Sequence, residues 1–153
     1  MKEEERTTRL NISLDLVSMD TESYQRFQEE QKHSNAYTTL KAYFDDYLAE
    51  HSTLTIPDII LNTNLNKSIV YKIFDGSRTH PDKYRLLAIC IAMGMNKRQI
   101  IRALRLGNCA TLNPKDPVDQ ALVICINSNC TSIRQIREFL VDNQLEDCFD
   151  FDQ

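Results

Sequence analysis

Residues 55–76 read TIPDIILNTNLNKSIVYKIFDG, and the pattern of this stretch decides the fold. Thr55 opens a short helix, with Asp58 three residues on as a capping-box variant. Ile56, Ile59 and Ile60 supply its apolar side. Asn62, Asn64 and Asn66 then cluster, and asparagine tolerates the left-handed backbone that a tight turn needs. The turn therefore falls at Asn64-Leu65-Asn66. Asn66 caps a second helix over 67–74, and Gly76 closes it. On this second helix Val70, Ile73 and Phe74 face inward by spacing, which leaves Lys67, Ser68, Tyr71 and Lys72 pointing outward.

Working outward, the residues before this stretch predict a helix over 35–51. Tyr37, Leu40, Phe44, Tyr47 and Leu48 form its buried stripe, with Asp45, Asp46 and Glu50 opposite. A weaker helix over 21–33 has only Tyr24 and Phe27 to anchor it. After Gly76, the basic loop Ser77-Arg78-Thr79-His80 leads to Pro81, a favoured first-turn residue. The helix from there to Met93 carries Leu86, Leu87, Ile89, Cys90 and Met93, and Gly94 stops it. Asn96 caps the next helix, with Ile100, Ile101, Leu104 and Leu106, which ends at Gly107. The turn signals Asn113-Pro114 and Asp116-Pro117 mark residues 109–117 as a connector. A helix over 118–127 follows, and Thr131 begins a last one with Ile133, Ile136, Phe139 and Leu140. Leu87, Ile89, Cys90, Ile91, Ile101 and Arg102 recur as Leu122, Ile124, Cys125, Ile126, Ile136 and Arg137, a shift of 35 residues. The second half thus reads as two related helix pairs, the later packed beside the earlier.

The chain has 153 residues, enough for one domain with a real core. Three glycines, four prolines and long amphipathic periods favour an all-α fold of about seven helices. Four parts are expected. Residues 1–34 form a charged N-terminal arm with one helix, and residues 35–108 a helix-turn-helix domain. Residues 109–145 form a helical-hairpin extension packed on that domain, and residues 146–153 an acidic tail. The tail, with Phe149 and Phe151, reads first as a frayed terminus, and otherwise as a segment that binds a basic or apolar groove or folds over the basic centre as a self-inhibitor.

Net charge is −4, which taken alone disfavours a polyanionic partner. Its distribution reverses that inference. Residues 1–51 carry −5 and residues 109–153 carry −5, but residues 52–108, with 9 Lys/Arg against 3 Asp/Glu, carry +6. A basic centre lies between two acidic flanks, and a local basic patch is the electrostatic footprint of nucleic-acid binding. The five cysteines form no Cys-x-x-Cys pair and match no histidine at zinc-ligand spacing, so a reduced, cytoplasmic protein without metal or cofactor is expected. The charged start MKEEERTTRL lacks the apolar core of a leader, and no apolar run approaches the length of a membrane span.

A helix-turn-helix places its second helix in the DNA major groove and reads bases from that helix's first turns. Lys67 and Lys72 can donate to guanine and Ser68 to either kind of base pair. Tyr71 can stack on a sugar or reach a phosphate, and Arg78 and Thr55 are placed for backbone phosphates. The order of elements over 36–106 resembles the lambda-repressor-like helix-turn-helix domain of the XRE class of bacterial and phage regulators. The resemblance rests on Ile59, Leu65, Val70, Ile73 and Gly76, then basic residues, Pro81 and LLAICIAMGMN. It covers about half the chain. It implies a five-helix domain whose second and third helices are the helix-turn-helix, and a sequence-specific transcriptional regulator of double-stranded DNA. It also implies base reading by Lys67, Ser68 and Lys72, with Asp75, Gly76 and Arg78 where the backbone turns toward phosphate. A homodimer is one arrangement that would pair two half-sites.

An enzyme needs a convergent catalytic set, and none is visible. Asp45 and Asp46 are adjacent and cannot both face one site, while Asp116 and Asp119 read as helix first-turn acids. The alternative is a helix-turn-helix scaffold turned to protein contact or oligomerisation. It rests on Ile60, Asn64 and Phe74, where the family commonly carries alanine, glycine and glutamate. The two readings differ on whether Lys67, Lys72, Arg78, Arg98 and Arg102 share a solvent-facing surface.

Overall fold

Thr39, in extended backbone, accepts a hydrogen bond from the Ala42 amide and starts the first helix of the main unit at Leu40. Of the helix predicted over 35–51, the part beginning at this cap runs to Glu50, and residues 35, 36 and 38 lie outside the described residues. The computed structural model describes residues 19–32, 37 and 39–151. The reading of residues 1–18 as part of a charged arm lies outside them. The chain divides into two units, Met1–Thr38 and Thr39–Gln153. In the first unit, α1 (Thr21–Lys32) is opened by the Asp20 carboxylate, which accepts from the Ser23 amide at 2.8 Å. Tyr24 on this helix is exposed.

The second unit holds seven helices: α2 (Leu40–Glu50), α3 (Ile56–Thr63), α4 (Lys67–Phe74), α5 (Lys83–Ala92), α6 (Lys97–Leu106), α7 (Pro117–Asn127) and α8 (Ile133–Asp142). All secondary structure among the described residues is helical, so the fold is all-α. The centre is α5, where every residue from Leu86 to Ile91 is buried. It packs against α3, α6 and α8, while α2 lies on α4 and α6. Aromatic side chains fasten α2 in place. Phe44 meets Phe74 of α4 at a ring-centroid distance of 5.1 Å, and the Tyr47 hydroxyl donates to the Met93 carbonyl at 2.8 Å. Tyr43, which the stripe reading omitted, is also buried and donates to the Gln99 carbonyl.

The tight turns obey the residue chemistry. Asn64 takes left-handed backbone (φ 57°), Leu65 behind it is buried, and Asn66 caps α4 by accepting from the Ser68 amide. The same device recurs at Met93-Gly94-Met95-Asn96, where Gly94 has φ 81°, Met95 is buried and Asn96 forms a full capping box with Gln99. Asn64→Gly is expected to leave stability within about 0.5 kcal/mol of the wild type, and Asn64→Val to cost about 1–2 kcal/mol, because a branched Cβ is strained in left-handed backbone. Urea unfolding of the two variants checks this, and equal midpoints would contradict it.

Several boundaries differ from the sequence reading. Pro81 is not in a helix: Asp82 caps α5 by accepting from the Arg85 amide, and Pro81 is buried just before it. The cap of α8 is Ser132 rather than Thr131. Gly107 ends α6 through packing. Its φ is an ordinary −83°, but an added Cβ would lie 2.8 Å from Leu86 Cδ2. The left-handed residue there is Asn108.

The repeat does not keep a constant shift of 35. Left-handed Gly94 and Asn129 are separated by 35, but the caps Asn96 and Ser132 by 36, because the second turn has one extra residue. Counted from the caps, Ile136 matches Ile100, not Ile101, and both are fully buried. The later hairpin is tied to the α3–α4 hairpin by Asn62 of α3, whose side chain donates to the Thr131 carbonyl at 2.8 Å and accepts from the Ile133 amide at 3.2 Å. Asn62 is therefore an inter-hairpin clamp rather than a turn residue.

The tail is docked, not frayed. Phe149 is 1% exposed, among the most buried large side chains of the unit. Arg137 of α8 holds Asp147 at 2.9 Å and Asp150 at 3.5 Å on either side of it. Phe151 lies under the Arg85 guanidinium of α5, 5.3 Å from ring centroid to charge. Phe139, expected inside, is half-exposed, since the face of α8 that packs is set by Ile133, Ile136 and Leu140.

Candidate nucleic-acid interface

The α3–α4 hairpin presents one polar face. Val70, Ile73 and Phe74 are buried and fix the roll of α4 about its axis. That roll places Lys67 and Tyr71 in one column and Ser68 and Lys72 in the next, one helical turn apart within each. All four are exposed. The Lys67 ammonium stands 6.0 Å from the Tyr71 ring centroid, at the outer limit of cation–π attraction. Among the described residues no carboxylate lies within ion-pair distance of Lys67, Lys72 or Arg78. Lys41, Lys83, Arg85, Arg134 and Arg137, by contrast, are each paired.

Beyond the helix the chain folds back on it. Gly76 is left-handed (φ 82°), and the Arg78 amide donates to the Lys72 carbonyl at 3.0 Å. This hydrogen bond satisfies a carbonyl of the last turn and brings Arg78 to the same end of α4 as Lys72. The Ser77 hydroxyl and amide, helped by Lys41 and Lys72, hold the Asp75 carboxyl below the usual carboxylate range. Asp75 is thus an anion at the C-terminal end of α4, and the N-terminal end carries the cation Lys67 with no acid beside it in the helix's first turn.

The other candidate residues divide. Thr55 is exposed, but its hydroxyl accepts from the Asp58 amide at 3.3 Å and donates to the Asp58 carboxylate at 2.7 Å. The positive end of α3 is already matched by that carboxylate. Arg98 is exposed, whereas Arg102 is 7% exposed, so the five cations do not share one solvent-facing surface. Arg102 is thus withdrawn from any polyanion. The basic centre is therefore thinner on the surface than its +6 suggests. Lys83 and Arg85 are neutralised within the unit, and the remainder splits between α4 with its loop and α6.

Phe74 is 5% exposed and packs on Phe44, and Asn64 adopts left-handed backbone. Ile60 is half-buried.

Sequence reasoning missed one polar centre outside α4. Asp119 is 1% exposed and accepts from Lys83 Nζ at 2.8 Å, the Tyr84 hydroxyl at 3.0 Å and the Asn113 amide at 2.7 Å. Burial pushes its carboxyl up, but the amide, the ammonium and the hydroxyl outweigh this and hold it below the usual range. The same partnership, with burial, raises Tyr84. Asp119 is a structural junction of α5, the 109–116 connector and α7 rather than an ordinary first-turn acid. The five thiols are unbridged, and burial pushes Cys148 up to about 12. Among the described residues no group of three His, Cys, Asp or Glu side chains could hold a metal ion, and no helix is long and apolar enough to cross a membrane. No protein-family model, curated protein or solved structure matches this chain.

Proposed function

We propose that this protein binds double-stranded DNA as a transcriptional regulator, on a lambda-repressor-like plan in which α2 to α6 form the five-helix domain and α3–α4 its helix-turn-helix. The observation that carries this reading is the face of α4: Lys67, Ser68, Tyr71 and Lys72 are exposed on a helix whose opposite side is sealed by Val70, Ile73 and Phe74. In this proposal α4 enters the major groove N-terminus first. Lys67 and Ser68 reach base edges, and Lys72, Tyr71 and Arg78 contact sugar and phosphate. The three unpaired cations give the polyanion its attraction. Thr55 contributes at most its exposed flank, since Asp58 holds its hydroxyl.

The test is fluorescence anisotropy with a labelled random duplex at low salt. Lys67→Glu/Lys72→Glu is expected to weaken binding on the order of a hundredfold, while leaving the melting temperature unchanged because both side chains are exposed. Absence of binding by the wild type would leave the reading of a helix-turn-helix scaffold used for protein contact.

A further inference from the structure

We propose that the cleft between α6 and α7 binds an amphipathic organic anion: a flexible apolar chain of medium length ended by a carboxylate. The cleft has a volume of about 420 Å³ and is walled by Ile101 of α6, Leu112 of the connector and Val123 and Ile124 of α7. Lys97 and Arg105 stand at its edge. Its volume lies within the range of roughly 300–1,000 Å³ typical of small-molecule sites. Such a short wall offers far less than the roughly 800 Å² per partner of a stable protein interface, so a small ligand is the occupant it fits.

Three observations set the chemistry. First, Ile124 is 56% exposed, although Ile89, its counterpart in the earlier hairpin, is fully buried. An apolar group is thus held open toward the cleft instead of being tucked against a neighbour. Second, Lys97, Ile101 and Arg105 fall at i, i+4 and i+8 along one side of α6, which puts the two cationic residues' backbones about 12 Å apart along the helix axis with the isoleucine between them. Third, both cations are exposed, and among the described residues neither lies within ion-pair distance of a carboxylate. No acidic residue lines the cleft. An apolar floor with cationic ends excludes cationic amphiphiles and leaves a neutral one without a partner for its head. The planar Arg105 guanidinium takes both carboxylate oxygens at once, and the chain then runs along Ile101, Val123 and Ile124 toward Lys97.

This site is independent of α4, and its test needs no DNA. Decanoate, below its micellar concentration, is titrated calorimetrically into the full chain, with decanol and decyltrimethylammonium as controls. Saturable binding is expected for decanoate, with each control weaker by about tenfold or more. Arg105→Ala is expected to lose about tenfold in affinity, with Arg105→Lys in between. Ile124→Asp, a change at an exposed position, is expected to abolish binding. Amide chemical-shift changes on the wild type should be confined to α6, residues 109–116 and α7. Failure of decanoate to saturate, equal binding of the cationic amphiphile, indifference to Ile124→Asp, or shifts centred elsewhere would each overturn the proposal.

Discussion

Phe149→Ala is expected to lower the unfolding free energy by about 3–5 kcal/mol, the usual cost of emptying a buried phenylalanine site. The size follows from position: Phe149 is 1% exposed, and the segment that carries it is pinned on both sides by Arg137. In a chain of this length such a loss corresponds to a fall in melting temperature of roughly 10–15 °C. Phe149→Leu keeps most of the buried volume and is expected to cost about 1.5 kcal/mol or less. Arg137→Ala removes both ion pairs but leaves the ring, and these pairs are partly solvated, so its effect is expected to be about 1 kcal/mol. Thermal unfolding followed by circular dichroism ranks the three variants. An unfolding curve for Phe149→Ala that superimposes on the wild type would show that the tail does not complete the core.

Asp119→Ala is expected to cost about 3 kcal/mol, the lower end for breaking a buried ion pair, because Lys83 keeps 19% of its side chain in water while Asp119 keeps 1%. The loss strands three donors at once: the Lys83 ammonium, the Tyr84 hydroxyl and the Asn113 amide. The pH dependence has a definite sign. The folded-state carboxyl is held below its ordinary value, so its stabilising contribution is complete above the unfolded-state value of about 3.9 and is lost as pH falls through the folded value. Wild-type stability is therefore expected to decline below about pH 4, and that part of the decline should be missing in Asp119→Ala. Denaturant unfolding between pH 3 and pH 7 measures both. Parallel stability curves for the two proteins would contradict the assignment of Asp119 as an ionised junction.

The two short helices around the turn at Asn64 were legible because their determinants are local. Thr55, Asn66 and Asn96 cap their helices through side chains acting two or three residues along, whereas Asp116, read as a first-turn acid, proves to be the cap of α7. Asn64 takes left-handed backbone for reasons internal to the residue, and Val70 and Ile73 follow helical spacing. The outward set of Lys67, Ser68, Tyr71 and Lys72 was likewise readable from period alone.

What was not legible depends on partners far along the chain. Asp119 is buried because Lys83 and Tyr84, more than thirty residues earlier, arrive beside it. An acidic tail reads as solvated, and only the Arg137 pairs with Asp147 and Asp150 explain why Phe149 is inside. Whether Arg102 joins a solvent-facing surface was open in the sequence, and in the fold it is buried. Phe139 failed for a related reason, since the spacing allowed two neighbouring faces and the contact with α3, α5 and α7 selected one. The Lys97–Arg105 cleft was invisible because two helices and a connector build it together. The extra residue in the second repeat turn could have been found in the sequence, by aligning caps rather than apolar runs.

The decisive measurement for the role of α4 is the salt dependence of binding to duplex DNA, for the wild type and for Lys67→Ala/Lys72→Ala. Each phosphate neutralised contributes about −0.9 to the slope of log affinity against log salt. The wild type is expected to show a steep slope, and the double variant a slope shallower by about 1 for the phosphate contact of Lys72, with sequence preference relaxed by the loss of the Lys67 base contact. A wild-type slope that the double variant leaves unchanged, or no binding by the wild type at low salt, would contradict DNA recognition through α4.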